Sequence, residues 1–316
     1  MAALASEYLS EILEPEKFAA AIFGVTLTFT ILSTNAVGFR TWMRLRRKQL
    51  GNDDYLMCAA MMVNLVQNAL VMHGTFVGIG SPDSKLNSEI EQEGREYLFL
   101  WQIFYAISLV FIKTSILTTL KRVDTKRRFI YAIWGLIALV IVLCVAVIIT
   151  LLAKCRPIQA NWTGNGTCMD SDIFVALAKT GYALDVVTDL AMAVISTMLL
   201  WGPELSVTSK VTTGLALGLG AIAAIASVVR TVYTDAYSSD DNYLYSTGKI
   251  VLWTVVECSL GIIAGSLPML RPAQRSRAHD EKIEELEMNR SDADFRIAVA
   301  EAAGTVHQHC GGPRSP

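Results

Sequence analysis

The sequence has few charged residues and almost no excess of either sign. Charged residues make up 18% of the chain, and 27 lysines and arginines against 29 aspartates and glutamates leave a formal net charge of −2. The basic surface expected of a nucleic-acid-binding protein is therefore not indicated. The charges are sorted by position instead, because most of them lie between long apolar segments.

The sequence also lacks the mixture of helical and strand patterns that is typical of a soluble chain of 316 residues. Hydrophobic residues make up 53% of it, the mean hydropathy is +0.41, and the apolar residues come in long blocks. These blocks are about 20 residues long, as a helix needs to cross a bilayer. We therefore predict an all-α, polytopic membrane protein that forms a seven-transmembrane helix bundle in the lipid bilayer. The predicted spans are 18–39, 55–78, 97–120, 129–153, 173–200, 211–233 and 250–270.

Residues 1–17 contain four glutamates and lack the basic start of a secretory signal peptide. We expect them to form a short extracellular or lumenal segment before a bundle at 18–272, and the first span to remain as an anchor. The polar residues 273–316 predict a disordered cytoplasmic tail.

The orientation follows from the lysines and arginines outside the spans. The first, third and fifth connections and the start of the tail contain more than twice as many of these residues as the amino-terminal segment and the other connections. The positive-inside rule then places the amino terminus outside or in the lumen and the carboxyl terminus in the cytoplasm. We expect a multi-pass protein of the plasma membrane or an endomembrane.

The fourth connection reads KCRPIQANWTGNGTCMD and contains two glycosylation sequons, at Asn161 and Asn165, between Cys155 and Cys168. Glycans and disulfides both form on the lumenal side, where the charge rule places this connection. We predict a Cys155–Cys168 disulfide and glycosylation of the two asparagines. The alternative is a pair of free thiols and two unused sequons.

Charged residues within the spans need a partner or water, because each costs about 2.5–3.5 kcal/mol at the centre of a membrane helix. A rise of about 1.5 Å per residue places Lys113 and Asp189 at one depth, roughly 24 Å from the outer ends of their helices. Arg230 and Glu257 share a second depth nearer the outer surface. The sequence thus predicts two layers of ion pairs, Lys113–Asp189 and Arg230–Glu257. The charged residues of the spans are Lys113, Lys179, Asp185, Asp189, Arg230 and Glu257.

Asp185 has no partner in this scheme. It lies one helical turn from Asp189, so it is expected either to be protonated or to face a water-filled cavity. The ion pairs are better explained by holding the bundle together than by binding a ligand, whereas for Asp185 a structural and a functional role are about equally favoured. In the sixth span, Gly214 and Gly218 are expected to permit close helix packing.

Several segments resemble the fungal rhodopsin-domain family of seven-span membrane proteins, over about residues 20–272. The matching segments are KTSILTTLKR at the end of the third span, CRPIQANWTGNGTCMD, Thr188–Asp189, SVVRTVY and LWTVVECSLGIIAGSLPMLRP. Asn52-Asp53-Asp54-Tyr55 resembles the start of the family's second span. The chain departs from the pattern at HGTFVGIG, at Ile195-Ser196 and at Asp185, which stands where the family usually has asparagine.

Three features of better-known seven-helix proteins are missing. The last span has no lysine in its core that could form a Schiff base with retinal, since Lys249 lies at its mouth. The Asp-Arg-Tyr and Asn-Pro-x-x-Tyr elements of common G-protein-coupled receptors are absent, so coupling to a G protein is not predicted. There is no metal-binding or diphosphate-binding motif either. We therefore expect no cofactor and no metal.

The resemblance implies a receptor-like protein, or an accessory membrane component of a fungal secondary-metabolite pathway, that binds a small apolar metabolite without retinal. The alternative is a membrane-embedded cyclase or isomerase acting on a hydrophobic intermediate, with Asp185 or Glu257 as the general acid. Transport is less favoured, because no internal repeat or matched pair of broken helices is evident.

Overall fold

The computed structural model describes residues 17–48, 50–123, 127–200, 207–237 and 242–267. In these residues seven long helices follow one another, so the predicted all-α, seven-helix fold is confirmed. The amino-terminal segment before residue 17 and the tail 273–316 lie outside the described residues. The helices are α1 Lys17–Arg46, α2 Asn52–Gly74, α3 Ser88–Val123, α4 Arg127–Ala153, α5 Ser171–Leu200, α6 Val207–Val232 and α7 Tyr243–Ser266.

Helix α7 is the most deeply buried of the seven and packs against α1, α2, α3 and α6. Helix α2 packs most extensively on α3, and α4 contacts α3 and α5. Large apolar side chains remain exposed on the outward faces of α1, α4, α5 and α6. All seven helices are long and apolar enough to cross a membrane. The exposed apolar faces therefore belong in lipid, and the chain is a multi-pass membrane protein.

Two helices begin at least seven residues earlier than the hydropathy predicted. Helix α3 begins at Ser88 rather than near residue 97, and α7 begins at Tyr243 rather than near residue 250. The additional residues of α3, SEIEQEGRE, are mostly polar, whereas those of α7 include the buried Leu244. In α3, Glu91 lies in the first turn, where negative charge favours the helix amino terminus, and an Arg95 nitrogen lies 2.6 Å from its carboxylate. Hydropathy detects the apolar middle of a helix and misses polar turns that project beyond the membrane.

The connection between α4 and α5 is ordered by a two-stranded antiparallel ribbon. Strand β1, Cys155–Arg156, pairs with β2, Thr167–Cys168, and places the two cysteines opposite each other. They form a disulfide, which confirms the predicted pairing. A one-turn helix, Ala160–Thr163, lies between the strands, and its Trp162 packs against Phe99 of α3 with ring centroids 5.7 Å apart.

The predicted role of the α6 glycines is wrong. A side chain added at Gly214 or Gly218 would meet no described atom within 4 Å, so neither glycine permits a close helix contact. Close approach occurs instead at Gly265 of α7, where an added methyl group would lie 2.9 Å from both Met57 of α2 and Ile116 of α3. This contact fixes the level at which α2, α3 and α7 meet.

Candidate functional site

Five charged side chains from four helices converge in the interior of the bundle. They are Lys113 of α3, Asp185 and Asp189 of α5, Arg230 of α6 and Glu257 of α7, and we call them the charged cluster. None has more than 15% of its side chain exposed, and the guanidinium of Arg230 is fully buried. Burial at this level requires that the charges compensate one another.

The contacts form one continuous chain of ion pairs. Lys113 Nζ lies 2.6 Å from Asp185 Oδ1 and 2.7 Å from Asp189 Oδ1. Arg230 Nη2 lies 3.0 Å from Asp185 Oδ2, and its Nη1 lies 2.7 Å from Glu257 Oε2. Asp185 therefore joins the lysine to the arginine, one oxygen to each cation.

This arrangement corrects the sequence-based scheme, in which two ion-pair layers were separate and Asp185 had no partner. The pairs Lys113–Asp189 and Arg230–Glu257 are both in contact, but Asp185 connects them. The reason is helical geometry, because Asp185 lies one turn nearer than Asp189 to the level of Arg230. The long arginine side chain covers the remaining distance.

Neutral polar side chains support the cluster. The Thr188 hydroxyl accepts a hydrogen bond from Lys113 Nζ at 2.9 Å and donates to the Asp185 carbonyl at 2.7 Å. Ser227 Oγ donates to Glu257 Oε1 at 2.8 Å and lies 3.3 Å from Asp189 Oδ2. Thr188 and Ser227 themselves have 1% or less of their surface exposed. The cluster is therefore held by hydrogen bonds as well as by charge.

The three carboxylates place one oxygen each within 4.8 Å of one another, close enough for a metal ion. The cations of the protein already occupy the positions between them: Lys113 lies between Asp185 and Asp189, and Arg230 between Asp185 and Glu257. A metal ion would have to displace a buried cation. The geometry is that of an ion-pair network.

One cavity lies between α3, α4 and α5, in the half of the bundle next to the disulfide-bonded connection, and we call it the loop-side cavity. Its volume is about 240 Å³. Apolar side chains form most of the wall, for example Leu109, Val147 and Leu177. Tyr105, Tyr182 and Asp185 of its wall contact Arg230 of the charged cluster. The polar residues of the wall are Gln102, Tyr105, Thr150, Thr180, Tyr182, Asp185, Thr188 and Tyr237.

A second cavity, of about 120 Å³, lies between α3, α5, α6 and α7, and we call it the far-side cavity. It reaches Thr119 near one end of α3 and Gly265 near one end of α7. Lys113, Asp189 and Glu257 line it, whereas Asp185 lines the loop-side cavity. The charged cluster therefore separates the two cavities, and each cavity contacts a different part of it.

A second buried group of charges was missed from the sequence, because its members lie at the ends of spans, where hydropathy places connections. Arg40 of α1 donates to Asp53 and Asp54 of α2 at 3.0 Å each, to the Gly265 carbonyl at 2.7 Å and to Thr119 Oγ1 at 3.2 Å. Arg40 and both aspartates are 1% exposed. These contacts join α1, α2, α3 and α7. The one feature of the sequence that pointed to this group was the resemblance of residues 52–55 to the start of the family's second span.

The remaining predicted residues lie near the loop side. Asn165 is exposed, whereas Asn161 is half-buried and its side chain donates to the Ile158 carbonyl at 2.9 Å. Lys249, the lysine nearest the last span, lies in the second turn of α7 against the rings of Tyr233 and Tyr245, at 5.6 and 5.2 Å from their centroids. It does not line either cavity.

Comparison with known proteins gives a family and several relatives. The profile of the fungal rhodopsin domain matches residues 39–276. The polyenoic acids biosynthesis gene cluster protein Ba17b of Metarhizium anisopliae is 25% identical over 265 residues, which cover 77% of this chain and 71% of that protein. The receptor GIN3 of Arthrobotrys oligospora is 26% identical over 250 residues, covering 77% and 59%. The wortmanamides biosynthesis cluster protein C of Talaromyces wortmannii is 26% identical over 259 residues, covering 78% and 68%. No solved structure matches the chain significantly.

Proposed function

The chain belongs to the fungal rhodopsin-domain family, and from this premise we propose that it is a receptor-like membrane protein that binds a small apolar metabolite without retinal. The observation that carries the proposal is the loop-side cavity, whose wall includes Asp185. A molecule bound there would contact the carboxylate that joins Lys113 to Arg230. Binding would thereby act on the packing of α3, α5 and α6.

The size of the cavity suits a small ligand. Its volume is about 240 Å³. Pockets for drug-sized ligands are larger, at about 300–1,000 Å³. The wall is mostly apolar with a smaller number of polar residues, which is the usual composition of a metabolite site.

The relatives support two versions of this function. GIN3 is described as a receptor, whereas Ba17b and the wortmanamides protein are described as members of biosynthesis gene clusters. We favour the receptor-like version, because the cavity meets a buried network that connects four helices. The aligned part spans 59% of GIN3, so nothing about a signalling partner is carried over from it. The cellular experiment below distinguishes the receptor-like version from an accessory role in a secondary-metabolite pathway.

The orientation is part of the proposal. The lysines and arginines of the connections favour the amino terminus outside or in the lumen, which places the loop-side cavity on that same side. The disulfide between Cys155 and Cys168 supports this orientation, since disulfides form and persist in oxidising compartments. The proposed ligand would then enter from outside the cytoplasm or from the bilayer.

The contacts of the carboxylates weigh against the cyclase or isomerase alternative. A general acid must present a proton to its substrate. Each carboxylate oxygen of Asp185 contacts a cation, and the carboxylate oxygens of Glu257 contact Arg230 and Ser227. Either residue would have to leave an ion pair before it could protonate a substrate. We therefore do not advance the enzyme as a second function.

The binding proposal is tested by filling the cavity. Ala178 lines it, and Ala178→Phe places a ring in the space. Ala176→Phe is the matched control, because Ala176 lies two residues away on α5 and is exposed. With purified protein in lipid nanodiscs, we expect saturable stabilisation of Tm by a nine-carbon methyl ketone in the wild type and the control. We expect an at least tenfold weaker effect in Ala178→Phe. Equal binding to all three proteins would contradict the proposal.

A cellular experiment separates the receptor-like version from the accessory version. In a strain without the gene, an unchanged metabolite profile with a lost response to a stimulus would support the receptor-like protein. Loss of a product, together with lower amounts of pathway proteins, would support the accessory role. Accumulation of one unconverted precursor in this strain, and also in a strain carrying Asp185→Asn, would contradict both versions. It would support the membrane-embedded enzyme instead.

A further inference from the structure

We propose that the ligand of the loop-side cavity is an uncharged molecule with an apolar chain and a carbonyl oxygen at the end that meets Tyr105 and Tyr182. The inference rests on the proposed function, because it specifies the chemistry of the molecule bound in the same cavity. It follows from the hydrogen-bond donors and acceptors of the cavity wall that are not already paired within the protein.

A cationic head is disfavoured at this end. The one acidic residue that lines the cavity is Asp185, and each of its oxygens already contacts a cation, Lys113 or Arg230. The aromatic faces are also in use. The guanidinium of Arg230 lies 4.9 Å from the ring centroid of Tyr105 and 4.4 Å from that of Tyr182. A ligand cation at this end would therefore lie beside the buried Arg230 instead of an unpaired carboxylate or an open ring face. The like charges would repel each other.

An anionic head is disfavoured by the charge of the cluster. The cluster contains three carboxylates, Asp185, Asp189 and Glu257, but two cations, so its formal sum is already negative by one. An additional anion beside Asp185 would be repelled by this excess of negative charge. The head must therefore be polar but uncharged.

Most hydroxyl hydrogens around the cavity are already used. Thr150 and Thr180 donate to the carbonyls of Ala146 and Ala176, four residues earlier on their own helices. Thr188 donates to the Asp185 carbonyl. These side chains therefore contribute no donor to a ligand.

Tyr105 is different, because its oxygen accepts a hydrogen bond from Arg230 Nη1. Its own hydrogen has no acceptor among the residues that the structure describes, and the side chain lines the cavity. A hydroxyl that accepts from a guanidinium is polarised and becomes a better donor. Tyr105 can thus donate to a ligand without losing a contact within the protein.

A second donor comes from a pair of hydroxyls. Tyr182 Oη lies 3.3 Å from Tyr237 Oη, and either oxygen can be the donor. Both residues line the cavity. If Tyr237 donates to Tyr182, the Tyr182 hydroxyl keeps its hydrogen, and if Tyr182 donates, the Tyr237 hydroxyl keeps its hydrogen. In both cases one hydroxyl hydrogen remains for the ligand.

The polar end therefore offers two donors to an uncharged group. A carbonyl oxygen has two lone pairs and can accept both hydrogen bonds, and it brings no donor of its own that would need an acceptor. An alkane would leave both donors without a partner in an apolar site. The apolar remainder of the ligand then lies along Leu109, Val147 and Leu177.

The test compares four probes with the same nine-carbon chain: an alkane, a methyl ketone, a carboxylate and a primary amine. Apparent dissociation constants are taken from the rise in Tm of the protein in nanodiscs. We expect the ketone to bind roughly thirtyfold tighter than the alkane, since each of the two hydrogen bonds contributes about 1 kcal/mol, or roughly fivefold. The carboxylate and the amine should bind more weakly than the alkane. A ketone that binds no tighter than the alkane would overturn the inference.

Phenylalanine variants assign the preference to the two hydroxyls. Tyr105→Phe, and the double variant that combines Tyr182→Phe with Tyr237→Phe, should each lower the ketone preference roughly fivefold while still binding the alkane, which also shows that the cavity has folded. Tyr131→Phe is the control, because Tyr131 lies on α4, is 73% exposed and does not line the cavity. If Tyr105→Phe does not fold, the double variant of Tyr182 and Tyr237 decides the question, and an unchanged preference in it overturns the assignment.

The experiment also separates failure of this inference from failure of the proposed function. Alkane and ketone binding that are equal to each other, and equally weakened by Ala178→Phe, would leave a metabolite-binding cavity without the proposed head group. If no probe binds saturably, or Ala178→Phe changes nothing, the proposed function fails and the inference fails with it.

Discussion

Asp185 is the residue on which the charged cluster depends for its continuity, yet it is not the one whose loss should cost most. Without it, Lys113 keeps Asp189 and Arg230 keeps Glu257. Asp185→Asn also brings the formal charge sum of the cluster to zero. We therefore expect Asp185→Asn to lower the free energy of unfolding by about 1 kcal/mol or less. Unfolding in detergent micelles titrated with dodecyl sulfate measures this.

Lys113→Met is the informative comparison, because it removes a cation from a cluster that already has fewer cations than carboxylates. Three carboxylates would then face Arg230 alone. Uncompensated buried charge costs about 3–5 kcal/mol, so we expect a loss of that size in the same measurement. Equal losses in Lys113→Met and Asp185→Asn would contradict the charge-sum argument. Asp189→Asn serves as a second neutralising variant and should resemble Asp185→Asn.

Arg40 offers a second prediction for a single residue. It donates hydrogen bonds to α2, α3 and α7, and its side chain is 1% exposed. Arg40→Met should lower the free energy of unfolding by about 3–5 kcal/mol, because Asp53 and Asp54 would lose their buried partner. Arg44→Met is the matched control. Arg44 is 12% exposed and contacts the same two aspartates at 3.4 and 3.6 Å, so we expect about 1 kcal/mol or less.

These residues show what the sequence could and could not predict at this scale. Charges inside apolar segments stood out, and depth from helical rise brought Lys113 near Asp189. Depth alone did not give the rotation of each helix about its axis, so the bridging role of Asp185 was missed. Arg40 and Asp53 were missed for another reason. They lie at the boundary where hydropathy changes, and charge is ordinary there unless the helices beside it are known.

At the level of the elements, the two sequons of the disulfide-bonded connection differ. Asn165 is exposed between the one-turn helix and β2, whereas the side-chain nitrogen of Asn161 bonds to the Ile158 carbonyl. A glycosyltransferase needs that nitrogen, so we expect the glycan on Asn165. Asn165→Gln should remove one glycan mass on gel electrophoresis, and Asn161→Gln should leave the mobility unchanged.

The same measurement tests the orientation. The glycan can be added only if the connection between α4 and α5 lies in the lumen during synthesis. Mobility that does not change when the wild-type protein is treated with a glycosidase would leave the orientation without this support. A carboxyl-terminal reporter that is active only in the cytoplasm is the independent check, and an inactive reporter on a fully expressed protein would contradict the proposed orientation.

Helices were the best-predicted elements, because a run of apolar residues long enough to cross a bilayer permits few other structures. Their ends were predicted poorly. The first turns of α3 are polar and contain the ion pair Arg95–Glu91, whereas the first turn of α7 contains Leu244, which packs in the core. The role of small residues was also predicted poorly. Gly265 and Gly214 look alike in sequence, and only the positions of neighbouring helices show that Gly265 is the one in close contact.

For the molecule as a whole, the charged cluster stands between two cavities. The loop-side cavity meets it at Asp185, and the far-side cavity meets it at Lys113, Asp189 and Glu257. The far-side cavity gives α3, α5, α6 and α7 space into which they can move. A ligand that changes the contacts of Asp185 can therefore change the helix packing on the far side, provided that it binds the two arrangements with different affinity.

Pulsed electron paramagnetic resonance between spin labels tests this coupling. One pair of labels replaces Lys121 of α3 and Leu215 of α6, at the far-side ends of these helices. The control pair replaces Leu100 and Val228, which are exposed at the loop-side ends of the same helices. Adding the nine-carbon ketone should shift the distance distribution of the far-side pair by a few ångströms and leave the control pair nearly unchanged.

Asp185→Asn should separate binding from its transmission. The amide can still hydrogen-bond to one cation, but it no longer joins Lys113 and Arg230 by charge. We expect the variant to bind the ketone within about threefold of the wild-type affinity, since the ligand bonds to the tyrosines instead, and to lose most of the far-side shift. A shift of the wild-type size in this variant would contradict the idea that the charged cluster couples the two cavities. A loss of binding together with the shift would instead show that Asp185 itself holds the ligand.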